Sequence, residues 1–116
     1  MRDTVKDKGR IEHMIEMAQI LSEKGKTITL TSIQNDKILF YGLSKMIEII
    51  GEAAYMLTSE FKEQHSELPW RQIIGMRHIL VHGYFTISPD VLFDVIRNDI
   101  PAMIPILENY SEEFNF

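Results

Sequence analysis

Between Ile38 and Leu57 apolar side chains return every three or four residues, at Leu39, Leu43, Met46, Ile47, Ile50, Ala53, Ala54 and Leu57 among others, and no proline interrupts them. That spacing is one face of a long α-helix, whose buried stripe needs other helices to cover it. The helix is expected to begin at Thr31 or Ser32 and to run to about Thr58. Gly42 and Gly51 lie inside it. A glycine there costs about 1 kcal/mol relative to alanine, which close approach of a neighbouring helix offsets, so tight packing is expected at Gly51.

The rest of the chain reads in the same way. From Asp7 to about Lys24, Ile11, Met14, Ile15, Ala18 and Leu21 mark an amphipathic helix that ends near Gly25. The β-branched stretch from Gly25 to Thr31 has no partner strand nearby and is expected to be a loop. Ser59 to Glu67 is polar, with a short helical turn. Pro69 then sits in the first turn of a helix through Trp70, Ile73, Met76 and Leu80 that ends near His82-Gly83. Ser88-Pro89-Asp90 combines an N-cap, a first-turn proline and an acid at the positive end of a helix. Asn98-Asp99-Ile100-Pro101 predicts the same capping chemistry, hence a break or kink before a last helix through Ile104, Leu107 and Tyr110. The sum is an all-α bundle of four to five helices in a single domain spanning residues 1–116.

Several function classes are excluded by composition. A formal charge of −5 and a pI near 5.3 leave no broad basic face for a long duplex, so any nucleic acid must be gripped locally. The absence of cysteine removes disulfides, thiolate nucleophiles and Cys-based zinc or iron–sulfur sites. The charged start lacks a signal-peptide core and no apolar stretch is long enough to span a bilayer. The expected protein is soluble, unprocessed and cytoplasmic.

Chemically capable residues are densest at Arg77, His78, His82 and Tyr84, beside Gly83 at the end of a helix. Arginine holds phosphate through a fork of donors, and histidine moves a proton near neutral pH. Together they suit attack of an RNA 2′-hydroxyl on its own phosphodiester. Five residues correspond to about 140° of helix rotation, however, so Arg77 and His82 do not share a face. They converge only if the arginine swings round, the helix distorts before Gly83, or a second subunit completes the site. A bland alternative has Arg77 in a surface network, His82 at a helix C-terminus and Tyr84 in the core. Zinc is a further rival, because His78 and His82 do share a face and His13, His65 or a glutamate could serve as third ligand, but no glutamate follows His78 as a His-Glu-x-x-His site requires. Glu52, an acid in an apolar stretch, needs a partner when buried, and a salt bridge to Arg77 or another cation is favoured over direct catalysis.

Arg77-x4-His82-x-Tyr84 resembles the RX4HXY signature of HepT-like toxins in the HEPN (DUF86) superfamily. Ile50-Gly51-Glu52-Ala53-Ala54, the lead-in from Pro69 to Arg77, and the segment from Asp94 to Pro101 resemble further parts of the same pattern, so the similarity covers nearly the whole chain. The resemblance implies a HEPN-like helical homodimer whose two motifs face each other across one RNA cleft. It makes Arg77 and His82 the catalytic pair, with no metal or cofactor, and gives His78 a supporting part in positioning phosphate. It further implies a type VII toxin–antitoxin system in which an MntA-like minimal nucleotidyltransferase transfers AMP to Tyr84. An anionic nucleotide there would fill and charge the cleft that must admit RNA. The competing expectation is a non-catalytic interaction module that pairs with such a nucleotidyltransferase; the acidic overall charge favours it, and the intact motif opposes it.

Overall fold

The long helix begins later than the expected start at Thr31 or Ser32, because the chain turns at Asp36. Just upstream, Thr29 and Ser32 satisfy each other: the Ser32 N–H donates to Thr29 Oγ1 at 3.1 Å, and the Thr29 N–H donates to Ser32 Oγ at 2.9 Å. This reciprocal cap starts a short helix, α2 (Leu30–Asn35). Asp36 then adopts an extended conformation, φ −127° and ψ 99°, and its carboxylate accepts the Leu39 N–H at 3.1 Å. A second cap placed there starts a new helix, α3 (Lys37–Met56), instead of continuing the old one. The expected single helix is therefore two, and the cap residue at Asp36 is the reason.

The computed structural model describes residues 2–83 and 87–114, with side chains from residue 6 onward. Helix α1 (Arg2–Gly25) precedes α2 and α3, and α4 (Ser59–Gln64), α5 (Trp70–His82), α6 (Pro89–Asp94) and α7 (Ile100–Glu112) follow. A π-helical turn, Val95–Asp99, joins α6 directly to α7. The fold is all-α, with no strand among the described residues, and the segment after Gly25 is a loop as expected. Four long rods form the bundle: α1, α3, α5 and the continuous α6–α7 rod, with α2 and α4 as short additions.

Helix α3 packs against both α1 and α5, and α1 also packs against α7. The core draws Ile11, Met14 and Leu21 from α1, Ile47 and Ile50 from α3, and Ile100 and Leu107 from α7. Helix α1 ends against the π-helical turn, where a Cβ on Gly25 would lie 2.9 Å from Ile96 Cγ2. Asp7, although charged, is buried. Its carboxylate accepts the Thr58 N–H at 3.0 Å and the Thr58 hydroxyl at 2.7 Å, and the Thr58 hydroxyl oxygen caps α4 by accepting the Phe61 N–H at 3.2 Å. The capping chain thus ties the first helix to a turn 51 residues away.

The cap expected at Asp99 is absent. Asp99 is helical, φ −70° and ψ −41°, and makes no side-chain cap. Chain direction is instead maintained by the wider turn, in which the Ile100 N–H reaches back to the Val95 carbonyl. Such a turn accommodates one extra residue, and with it the missing donor of Pro101, without ending the helix. Ser88 does cap α6 as expected, its hydroxyl accepting the Val91 N–H at 3.3 Å with Pro89 in the first turn.

An aromatic cluster fixes the start of α5. The Trp70 indole N–H donates to the His65 carbonyl at 2.6 Å, and its ring stacks 6.2 Å from that of Tyr110. His65 lies 4.0 Å from the Phe61 ring. The Tyr110 hydroxyl donates to Glu67 Oε1 at 2.7 Å. Burial, then the adjacent Glu67 carboxylate, push the Tyr110 phenol well above its ordinary value, while the same hydrogen bond lowers Glu67. With its N-terminus held in this way, α5 runs on to carry Arg77 and His82 toward its other end.

Candidate active site on α3 and α5

Helices α3 and α5 meet at Gly51, as the sequence predicts. A Cβ on Gly51 would stand 2.3 Å from Arg77 Cβ and 3.1 Å from the Ile73 carbonyl oxygen. Only a residue without a side chain permits this approach. Helical geometry then places Glu52 beside Arg77, whose Nε donates to Glu52 Oε2 at 2.6 Å. One turn further along α3, Tyr55 lies under the guanidinium, 4.9 Å from the arginine carbon to the ring centroid. Helix α5 directs its side chains back toward its own N-terminus, and this leads Arg77 along α3 onto both partners.

The Arg77 side chain is 22% exposed and that of Glu52 50% exposed. At that exposure the pair contributes little to stability. Its effect is on direction: one edge of the guanidinium is engaged by carboxylate and one face by the phenol ring, while the terminal nitrogens make no other bond among the described residues. A planar fork with free donors is suited to phosphate.

His78 and His82 stand on the outer side of α5, both exposed, with ring centroids 4.7 Å apart. They lie on one helix face, as their spacing requires. No group of three His, Cys, Asp or Glu side chains able to hold a metal occurs among the described residues. Of the two other histidines, His65 is committed to the Phe61 carbonyl at 2.8 Å and to Glu113 at 3.0 Å.

The structure thus brings Arg77 together with Glu52, and His78 with His82. It does not bring Arg77 to His82. Helix α5 stays regular to its last residue, the Gly83 N–H reaches the Ile79 carbonyl at 2.6 Å, and the five-residue offset is preserved. Of the three routes to convergence, distortion before Gly83 is eliminated, and an arginine already engaged with Glu52 has not swung round. Tyr84 lies outside the described residues. Tyr55 belongs to no motif in the sequence; its signal is its place three residues after Glu52, on the same helix face.

The family model described as Ribonuclease HepT-like matches residues 11–110. Among curated proteins, the chain is 36% identical over 93 residues to one named "Putative RNase" from Caldanaerobacter subterraneus subsp. tengcongensis, covering 80% of this chain and 83% of that protein. It is 32% identical over 90 residues to a "Putative RNase" from Methanocaldococcus jannaschii, covering 78% and 83%. It is 32% identical over 96 residues to "Probable ribonuclease HepT" from Thermococcus cleftensis, covering 83% and 87%. No solved structure matches.

Proposed function

The chain belongs to the HepT-like ribonuclease family, and from that premise we propose that it is a metal-independent endoribonuclease in which Arg77 and His82 act on the RNA phosphodiester. The observation that carries this reading is the Glu52–Arg77–Tyr55 arrangement: an arginine held at its Nε edge and one face, with its terminal donors open, on the same helix as two exposed imidazoles that face another side. His82 takes the proton of the 2′-hydroxyl as the 2′ oxygen bonds to phosphorus; the bond from phosphorus to the 5′ oxygen breaks, and that oxygen takes up a proton from a second imidazole. Arg77 neutralises the charge that develops on the phosphoryl oxygens. His78 helps to position the phosphate, and Glu52 with Tyr55 orients Arg77.

Within one chain these groups face different sides of α5, so the working site is composite, formed where two copies bring their α5 ends together. A homodimer supplies Arg77 from one copy opposite His82 from the other. The protein acts in the cytoplasm as the toxin of a type VII pair, and an MntA-like nucleotidyltransferase silences it by transferring AMP to Tyr84.

The test is incubation of the unmodified protein and of His82→Ala with total RNA in EDTA, with intact mass confirming that Tyr84 carries no nucleotide. Cleavage by the parent protein alone is expected. Absence of cleavage by both would select instead a non-catalytic module that pairs with the nucleotidyltransferase.

A further inference from the structure

Helix α5 differs from the rest of this acidic chain. The chain as a whole has 17 Asp and Glu against 12 Lys and Arg, yet α5, Trp70 to His82, carries two arginines, two histidines and no acid. Arg77 turns inward to α3. The other three basic residues, Arg71, His78 and His82, are exposed and lie with Gly75 within about 60° of helix rotation, forming one solvent-facing strip about 16 Å long. Arg71 makes no hydrogen bond or ion pair among the described residues. Gly75, midway along the strip, has nothing within 4 Å of where a Cβ would be. Packing inside the chain therefore does not account for a glycine in mid-helix, although such a glycine is costly.

We propose that this strip is the track along which the single-stranded RNA lies as it enters the site, with Arg71 gripping a phosphate about three helical turns from His82 and Gly75 leaving room for the sugar–phosphate backbone to lie against the helix. The inference rests on the ribonuclease reading and extends it by a substrate-binding residue outside the motif. Charge selects the occupant: a strip of cationic and imidazole donors free of carboxylates, on a molecule of net charge −5, complements a polyphosphate chain. One guanidinium at that distance engages a different phosphate from the one at the reaction centre, so it acts on binding and not on the chemical step.

The experiment measures binding of a fluorescein-labelled single-stranded RNA oligonucleotide by anisotropy across a salt series, in a His82→Ala background, together with KM and kcat of cleavage for the same substitutions in the otherwise native protein. Arg71→Ala should weaken binding and raise KM about five- to tenfold with kcat within about twofold, and should lower the salt slope by about 0.7, the loss of one phosphate contact. Arg71→Lys should restore most of both. Gly75→Leu, whose Cβ has nothing within 4 Å and which replaces glycine by a good helix former, should fold at least as stably yet raise KM more than tenfold. If the native protein cleaves RNA while both variants keep its KM and salt slope, the track is refuted and the ribonuclease reading stands. If the native protein neither binds nor cleaves RNA, both fall. If either variant changes the oligomeric mass while the salt slope holds, a second copy covers the strip and the proposal is overturned.

Discussion

Gly51 and Arg77 occupy the point at which α3 and α5 come closest, and a Cβ on the first would stand 2.3 Å from the Cβ of the second. The glycine brings the two backbones together, and it also puts Glu52 within reach of the guanidinium. Gly51→Ala should therefore destabilise the protein by about 1–3 kcal/mol, because the overpacking cost exceeds the gain in helix propensity. Urea unfolding checks this, and an alanine variant as stable as the parent would contradict the close contact.

Glu52→Ala should behave in the opposite way. The Arg77–Glu52 pair is partly exposed, so its loss should cost less than about 1 kcal/mol of stability. Cleavage should nonetheless fall at least tenfold, since Arg77 loses the partner that orients it. Tyr55→Phe, which keeps the ring under the guanidinium, should retain most activity, and Tyr55→Ala should not. Paired thermal melts and cleavage rates separate orientation from stability.

Asp7→Ala removes a buried carboxylate that accepts two hydrogen bonds from Thr58. The Thr58 N–H is then left without its acceptor and the cap of α4 loses its anchor, a loss of about 1–3 kcal/mol. Hydrogen exchange should show α4 opening ahead of α3; equal protection of the two would refute the anchoring role.

The Tyr110–Glu67 hydrogen bond predicts a pH dependence with two edges. Glu67 is lowered below its ordinary value of 4.5, so the stability it contributes is present above that pH and is lost as the pH falls through its folded-state value. Tyr110 is raised above its ordinary value of 10.0, so its contribution is present below pH 10 and is lost as the pH climbs above it. The stability difference between the parent and Tyr110→Phe should accordingly form a plateau between about pH 5 and pH 10 and shrink on both sides. A difference that is flat across the whole range would remove the bond from the account.

The parts of the fold legible in the sequence were those written in local periodicity and local caps. The apolar steps of α1 and α3, the Ser88-Pro89 start of α6 and the end of α5 at His82-Gly83 are all short-range signals. Gly51 was legible because a mid-helix glycine needs a neighbour to justify its cost. Two boundaries differ from expectation where competing local signals coexist. Asp36 lies between Thr31 or Ser32, where the long helix is expected to start, and Ile38, where its apolar pattern begins, and its carboxylate sets the later start. At Asn98 to Pro101 the capping residues are present but unused, because a continuous rod keeps Ile100 and Leu107 buried. Asp7 was not legible, since its partner is distant in sequence and nothing near Asp7 points to Thr58. At the site, the residue types and the Glu52–Arg77 pairing could be read from sequence. The orienting ring of Tyr55 could not, because an exposed tyrosine has many possible uses.

The π-helical turn at Val95–Asp99 also works as an angular gear. Buried Leu92, Ile96 and Ile100 follow one another in steps of four, a lag that a regular helix would convert into steady drift away from the core. The wide turn absorbs the lag, so that Met103, Leu107 and Tyr110 come round facing inward. Removal of a single residue from this turn would rotate everything after it by about 100°. Tyr110 would then swing away from Trp70, and the far end of the rod that carries Arg77 and His82 would lose its bearing.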